Sequence, residues 1–396
     1  MIDTTLVARV LTALDGVPDL FARLDDEVTP ERAHHYLSAI ESAPCPSQTA
    51  RWTRTPVIER LLREDGLLDA PRVVWEANYG KSGNAALLLG QRRKRKRVWI
   101  LSHLDQISYL LDPGEGNRYP LVPFCYHMQE DGQRPALALA HDLAKDALMV
   151  CARGAIEVDG KAVTFVATEG GPLGPGTRVV YDSDLTWDQQ TNSLTGHLDD
   201  SVAVVASLLA AHVLRHYPVE VLIGLTDEEE GPPGDANQSF GRGGRRLVNL
   251  FPRPELAIVS DVHESEMMIH GQAPHYLRPG DGAVFAERSS NGRGSVTPPN
   301  LYAFQQHLAA ALGQRGVHLR ENWGGYVSRS EDINAVAVTP NVALIGVLCS
   351  NRHYAADRPS ANLADVVDLA KVFVAYTLLV HSDVWRVVEG DRGMGG

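Results

Sequence analysis

The 396-residue sequence has only four cysteines, and none of them stands in a CxxC pair or in a spacing typical of a disulfide framework. Cys45, Cys125, Cys151 and Cys349 are scattered, which argues against a disulfide-stapled module and a CxxC redox or zinc motif. The sequence also lacks a basic amino-terminal segment followed by an apolar stretch, and no apolar run reaches membrane-spanning length. We therefore expect a soluble, cytoplasmic protein with reduced thiols and no membrane partner.

An excess of positive charge is also absent. The 37 Lys and Arg residues are outnumbered by 49 Asp and Glu residues, which gives a net charge of -12 and argues against a general nucleic-acid binder. One local exception is the run of cations from Arg92 to Arg97, which lies between two predicted strands. A nucleic-acid or nuclear-targeting segment is one interpretation. We favour a solvated hairpin tip that pairs with acidic surface on another subunit, and we expect no nucleic-acid partner.

The hydrophobic pattern predicts an α/β protein with an insert. Residues 1–43 carry helical patterns and are predicted to form a helical extension. Apolar runs alternate with helical stretches over 44–107 and 196–388, which predicts a mixed, mostly parallel sheet covered by helices. Between them, residues 108–195 contain short β-like runs separated by Gly, Pro and Asp, which predicts a small inserted β domain acting as a lid or assembly contact. Residues 389–396 are predicted to be a flexible tail.

A run of four carboxylates, Asp227 to Glu230, follows the predicted strand 219–225. Adjacent carboxylates repel one another, and burying them is costly unless positive charge lies close by. A metal ligand beside a general base is one interpretation of this run. A solvated acidic turn is the other, and the choice between them depends on the rest of the chain.

Metal-binding side chains also stand at the ends of three other predicted strands and at the start of a predicted helix. They are His103, Asp261, His353 and Asp199. Because ligands gather beyond the carboxyl ends of strands in open α/β sheets, we expect these side chains to converge. Two histidines and three or four carboxylates suit a pair of zinc-like ions that share a carboxylate. A further carboxylate could then accept the proton of a water that the ions activate.

The order of these motifs carries a family resemblance. His-x-Asp comes first, followed by an Asp that opens a helix, a strand with Glu-Glu, a strand that ends in Asp, and a late His. In this order the sequence resembles the glutamyl and tetrahedral aminopeptidases, a group of dinuclear-metal exopeptidases. The resemblance covers residues 44–382 and implies a zinc-exopeptidase-like fold with the inserted β domain in its usual place. It also implies a homo-oligomer, commonly a dodecamer.

The resemblance implies two divalent ions per chain, with zinc expected and cobalt or manganese as alternatives. His103, Asp199 and Asp261 would hold one ion, and Asp199, Glu229 and His353 would hold the other. Asp199 would therefore bridge the two ions.

The resemblance also implies roles for two residues that are not ligands. Asp105 would lie behind His103 and fix its tautomer. Glu228 would be the general base that takes a proton from water and returns it to the leaving amine. The family pattern is Glu-Glu-x-Gly, so Gly231 selects Glu228 and Glu229 and leaves Glu230 without a catalytic role.

Several positions depart from the family pattern. Ser201 follows Asp199 and Asp200 where the family usually has Arg, and Arg352 directly precedes His353 where the family separates Arg from His. His263 is a candidate substitute ligand. These departures concern substrate recognition more than metal binding. They strengthen the case for a specialised amide hydrolase, while an aminopeptidase that acts on short peptides remains the expected function.

Three functions remain open at this point. The first is an aminopeptidase for short peptides, with Glu331 and Asp332 as candidates to hold the substrate α-amine. The second is an amidohydrolase or deacylase that removes an acyl or aminoacyl group from a small metabolite, with Arg242, Arg288 or Arg293 holding an anionic substrate. The third is a non-catalytic scaffold, which the retention of every metal-type side chain argues against.

Overall fold

The computed structural model describes residues 2–92, 95–124, 130–231, 241–268, 277–323 and 325–390. Its helices are α1 (Thr4–Asp15), α2 (Leu20–Glu27), α3 (Pro30–Glu41), α4 (Arg54–Glu64), α5 (Leu198–Leu214), α6 (Arg242–Val248), α7 (Pro299–Gly313), α8 (Asp332–Ala335), α9 (Leu363–Val380) and α10 (Arg386–Glu389). Short 3-10 turns lie at Ala50–Trp52, Tyr79–Lys81, Ser290–Gly292 and Asp383–Trp385.

The strands fall into three sheets. They are β1 (Val73–Glu76), β2 (Ala85–Leu89), β3 (Val98–His103), β4 (Tyr109–Leu111), β5 (Arg118–Pro123), β6 (Gly132–Asp142), β7 (Ala147–Asp159), β8 (Ala162–Gly170), β9 (Arg178–Tyr181), β10 (Thr186–Asp188), β11 (Ser193–Thr195), β12 (Val221–Thr226), β13 (Leu256–Val259), β14 (Val262–Met268), β15 (Ala283–Ala286), β16 (Leu319–Glu321), β17 (Gly325–Val327), β18 (Val342–Cys349) and β19 (Ser360–Asn362).

The largest sheet has the strand order β1-β2-β12-β3-β13-β18-β14-β17, and β15 and β16 continue from β18. Its centre is parallel, because β12, β3, β13 and β18 all run in the same direction. Helices α5 and α9 pack on one face, and α6 and α8 pack on the other. The four central strands are buried along their whole length. These features confirm the predicted α/β class, and they explain why the central strands are continuous apolar runs.

The first three helices share the core of the main layer. α1 packs against α7 and α9, while α2 and α3 pack against α5. Tyr36, Leu37 and Ile40 of α3 are buried in the same hydrophobic cluster as Ile100 of β3. Helix α2 was not expected from the sequence, because its eight residues carry only a short apolar stripe.

The insert forms a closed barrel with the strand order β4-β5-β8-β7-β6-β9. It lies between β3 and α5 in the chain and has its own core, which includes Ile156 and Phe165. The chain enters and leaves the barrel at neighbouring strands, where the hydroxyls of Tyr109 and Tyr181 lie 2.9 Å apart. Strands β10, β11 and β19 form a third, small sheet beside it. The predicted small β insert is therefore present as a barrel.

Two cations of the basic run form ion pairs within the chain. Lys96 is buried, and its ammonium donates to the Leu89 carbonyl oxygen at 2.7 Å and to Glu220 at 2.9 Å. Arg97 forms a two-pronged pair with Glu255 at 2.7 and 2.6 Å. Residues 93–94 lie outside the described residues. Among the helices of the described part of the chain, none combines the length and apolar character that crossing a membrane requires.

Strand β15 lies in the region after β13 and pairs antiparallel with β18. It is four residues long and fully buried, too short to show a distinctive period in the sequence. Of the cysteines, Cys45, Cys151 and Cys349 carry free thiols, and Cys125 lies outside the described residues.

Candidate metal centre

The candidate site lies where the parallel central strands end. His103 is the last residue of β3, the acidic run 227–230 follows β12, and Asp261 follows β13 by two residues. His353 lies four residues beyond β18, and Asp199 stands in the first turn of α5, where its peptide bond to the next residue is cis. Because these strands are parallel neighbours, their carboxyl ends share one edge of the sheet. The fold thus brings together side chains up to 250 positions apart.

One group of side-chain atoms that could bind a metal surrounds His103. Its Nε2 lies 3.2 Å from Asp199 Oδ1, 4.0 Å from Asp261 Oδ1 and 3.8 Å from Glu229 Oε2. Atoms bonded to one tetrahedral ion at about 2.0–2.1 Å lie roughly 3.3 Å apart, so the closest of these distances is of that size. All four side chains are buried. The predicted set of His103, Asp199 and Asp261 therefore lies together.

A second group lies on the other side of Asp199. His353 Nε2 is 3.3 Å from Asp199 Oδ2 and 3.5 Å from Glu230 Oε1. The two oxygens of Asp199 thus face different groups, which is the arrangement that a bridging carboxylate requires. Glu230 Oε1 is buried and accepts no hydrogen bond within the described residues. The sequence placed Glu229 beside His353, whereas in the structure Glu230 holds that position.

Glu228 points away from both groups. Gln48 Nε2 donates to its Oε1 at 2.6 Å, and Arg246 Nη1 donates to its Oε2 at 2.5 Å. Its φ is 67°, a left-handed conformation that a residue with a side chain seldom adopts. This turn directs the side chains of Glu229 and Glu230 toward the histidines. The two glutamates that face the histidines are therefore Glu229 and Glu230, one position later than the pair Glu228 and Glu229 that the sequence pattern suggested.

Asp105 secures both the first histidine and the acidic turn. His103 Nδ1 donates to the backbone carbonyl of Asp105 at 3.0 Å, and the Asp105 carboxylate is farther from the ring, at 3.7 Å. This bond leaves the lone pair of Nε2 facing the carboxylates. The carboxylate itself accepts the N–H groups of Glu229 and Glu230 at 3.0 and 3.3 Å, and the hydroxyl of Ser47 at 2.6 Å. Ser47 was not foreseen, because nothing in the sequence links it to residue 105.

The centre carries more negative charge than its own side chains neutralise. Burial raises the pKa of Glu229 and Asp261 well above the usual carboxyl range, and neighbouring carboxylates raise both further. Burial likewise raises the pKa of Asp227 to about 8. Both carboxylate oxygens of Asp200 are buried without a hydrogen-bond partner among the described residues. A divalent cation would supply the missing charge, so the donor set and its electrostatics fit a metal centre.

Other side chains considered from the sequence are engaged elsewhere. His263 Nδ1 accepts from the Asn322 amide at 2.8 Å and belongs to neither group among the described residues. His197 Nδ1 lies 2.6 Å from the Tyr354 hydroxyl, and burial lowers its pKa to about 3. His141 packs edge-on against a tryptophan ring at the barrel. His127 and His275 lie outside the described residues.

The two acidic candidates for holding an α-amine are both buried. Glu331 accepts the hydroxyls of Thr226 at 2.5 Å and Ser330 at 2.7 Å. Asp332 accepts the N–H groups of Ser295 and Ser330, each at 2.7 Å. Both carboxylates therefore stabilise the loop that precedes α8.

A cavity of about 600 Å³ lies between the barrel and the loop after β18. Tyr181, Tyr354, Arg134 and Arg358 contribute to its wall. Among the described residues, its lining includes none of the carboxylates of the two groups, but Tyr354 directly follows His353. The cavity is a neighbour of the candidate centre and not the centre itself.

No protein-family model and no curated protein matches the sequence. Solved structures do match its fold. A TET aminopeptidase from a marine-sediment Thaumarchaeota archaeon has a TM-score of 0.69 at 13% identity, covering 91% of this chain and 99% of that one. An aminopeptidase from Desulfurococcus kamchatkensis has a TM-score of 0.68 at 15% identity, covering 92% and 99%.

A third similar structure is the TET1 peptidase of Pyrococcus horikoshii, which can assemble into a tetrahedron or a large octahedral shell. Its TM-score is 0.63 at 16% identity, and the match covers 87% of this chain and 99% of that one. At such identities the likeness shows a shared fold that extends over nearly the whole of each relative.

Proposed function

We propose that this chain is a metal-dependent hydrolase that cleaves amide bonds and removes residues from the amino end of short peptides. The observation that carries the proposal is the pair of buried His/carboxylate groups that share Asp199. Their position at the carboxyl edge of a parallel sheet is where α/β enzymes bind ligands. The likeness to solved aminopeptidases supports the choice of peptides over other amides.

Divalent ions would be held by His103, Asp199 and Asp261 on one side and by Asp199, Glu230 and His353 on the other. The mixture of imidazole and carboxylate suits zinc, and cobalt or manganese accept the same ligands. When bound, such ions polarise a carbonyl group and lower the pKa of a water.

The chain itself would move the proton. Glu229 is the carboxylate left for this task, because Glu230 faces His353 and Glu228 is engaged by Arg246. Asp105 holds His103 in one tautomer and fixes the backbone of Glu229, so that this base keeps its place beside the reacting groups. Glu229 would take a proton from the attacking water and pass it to the leaving amine.

We also propose that the chain works as a homo-oligomer, and that this is a dodecamer. The support is the similar TET1 peptidase, which can assemble into a tetrahedron, and the similar structure of PhTET1-12s, which has a dodecamer in the asymmetric unit. Light scattering coupled to size exclusion should give about twelve times the 43.2-kDa mass of one chain. A mass of one or two chains would contradict this part of the proposal.

A second candidate is a deacylase for an anionic metabolite. The observation in its favour is the set of arginines at the edge of the centre. Arg246 and Arg242 both approach Glu228, and Arg178 of the barrel donates to Gln48, which itself donates to Glu228. Three guanidinium groups around one carboxylate leave positive charge available for a substrate anion.

The test is metal analysis of the purified protein paired with a panel of aminoacyl p-nitroanilides, before and after chelation. Bound divalent metal and cleavage that chelation abolishes and metal restores would support the aminopeptidase. Bound metal without cleavage of any aminoacyl anilide, but with release of acyl groups from N-acyl amino acids, would favour the deacylase. No bound metal and no activity with added Zn²⁺, Co²⁺ or Mn²⁺ would overturn both and favour a non-catalytic scaffold.

A further inference from the structure

Arg352 lies within the second group of the candidate metal centre. Its guanidinium is buried, with 9% of the side chain exposed. Nη1 lies 3.5 Å from Asp199 Oδ2, and Nε lies 3.3 Å from Glu264 Oε2. A fixed cation therefore already contacts the oxygen of Asp199 that faces His353.

The same guanidinium contacts the second ligand of that group. Arg352 Nη1 is 3.3 Å from His353 Nε2. A guanidinium has N–H donors and no acceptor, so His353 Nε2 must offer its lone pair to Arg352. A metal ion bound through Nε2 needs that same lone pair. Arg352 and an ion at this position thus compete for one nitrogen atom and for one carboxylate oxygen.

The first group has no such competitor among the described residues. His103 Nε2 faces carboxylates, and no arginine or lysine in the described ranges forms an ion pair with His103 or Asp261. Repulsion between Arg352 and a divalent ion is weaker at the first group than at the second, because the Coulomb energy falls as the separation grows. The two positions that appear alike in the sequence are therefore unequal in charge.

We propose that Arg352 is a built-in replacement for the second cation, so that the protein holds one divalent ion tightly with His103, Asp199 and Asp261 and a second only weakly. This inference rests on the metal centre of the proposed function. The guanidinium takes over one task that the second ion would have, which is to balance the charge of Asp199 and Glu230. Access to the second position requires the Arg352 side chain to leave Nε2 of His353.

The test is a titration of metal-free protein with Zn²⁺, followed by calorimetry and by competition with a chromophoric chelator. Wild type is expected to bind one equivalent tightly and a second at least 100-fold more weakly. Arg352→Met removes the competing charge at similar length, so it should tighten the second equivalent at least tenfold and leave the first unchanged. Arg97→Met is the control, because Arg97 pairs with Glu255 next to the start of β3, at the opposite end of that strand from His103, and it should titrate like wild type.

Circular dichroism of each variant shows whether it is folded, and Arg352→Lys, which keeps the charge, should retain one tight equivalent. Two equally tight equivalents in wild type, or an Arg352→Met profile identical to wild type, would overturn the inference while leaving the proposed function intact. The titration uses no substrate, so its outcome is independent of whether peptides are cleaved. Absence of any tight ion would instead overturn the inference together with the metal centre itself.

Discussion

The structure favours Glu229 as the general base, whereas the sequence pattern suggests Glu228. Exchanging Glu229 for glutamine distinguishes between these two assignments. A positioned general base contributes about 10²–10⁴-fold to a rate, which is about 2.7–5.4 kcal/mol of transition-state stabilisation at 1.36 kcal/mol per tenfold. Glu229→Gln keeps the shape and the buried contacts but cannot accept the proton. We therefore expect kcat/KM to fall by at least 100-fold.

Glu228→Gln should have a much smaller effect. Its carboxylate is 6% exposed, pairs with Arg246 and faces neither group of the centre, so the exchange removes no proton acceptor from the centre. The loss in kcat/KM should therefore stay below about fivefold, which corresponds to about 1 kcal/mol. Both variants are compared with wild type on the best aminoacyl anilide, with metal content measured for each protein. Loss of activity in Glu228→Gln, with metal retained and with Glu229→Gln still active, would refute the assignment and restore Glu228 as the base.

Three further predictions concern stability. Burial, and then nearby positive charge, lowers the pKa of His212 to about 3, so the part of the unfolding free energy that depends on His212 is constant above pH 6.5 and falls by about 1.4 kcal/mol per pH unit below it. Burial also lowers the pKa of His197 to about 3, so His212→Gln, which keeps a partner for Tyr36, should reduce the slope in urea unfolding at pH 4.5–7.5 by about 1.4 kcal/mol per unit without abolishing it; an unchanged slope would contradict the assignment. In Gly346→Ala the new Cβ would lie 1.8 Å from the Asp261 carbonyl oxygen, so calorimetry should show a free energy of unfolding lower by about 1–3 kcal/mol or more, together with weaker Zn²⁺ binding. An unchanged melting temperature would contradict the tight packing. Chelation should lower the melting temperature and added Zn²⁺ should restore it, because an ion at 100 times its Kd stabilises the fold by about 2.7 kcal/mol; identical melts with and without EDTA would count against a metal centre.

The sequence allowed the central sheet to be predicted because its strands are covered on both faces. β3, β12, β13 and β18 are continuous apolar runs, and β12 matches its predicted range, 219–225, within two residues. Since parallel strands end at one edge, the polar residues that follow them were expected together, and His103, Asp199 and Asp261 do lie together.

The details that the sequence left open depend on backbone direction and on distant partners. Three consecutive glutamates are chemically equivalent, and the positive φ of Glu228 decides which two face the histidines. The backbone at this position is held by the Asp105 carboxylate, more than 120 positions earlier in the chain. The place of Arg352 was also hidden, because adjacency to His353 does not reveal that both side chains contact Asp199.

The chain enters and leaves the barrel at one place, the neck formed by β4 and β9. Its first and last strands pair with each other, and Tyr181 at the exit stacks on Tyr354 with ring centroids 4.3 Å apart. A module joined in this way can be lengthened, shortened or exchanged between lineages without changing the register of any strand in the main sheet. The neck aromatics are then the part of the module that an exchange must keep, because they connect it to the residue beside His353.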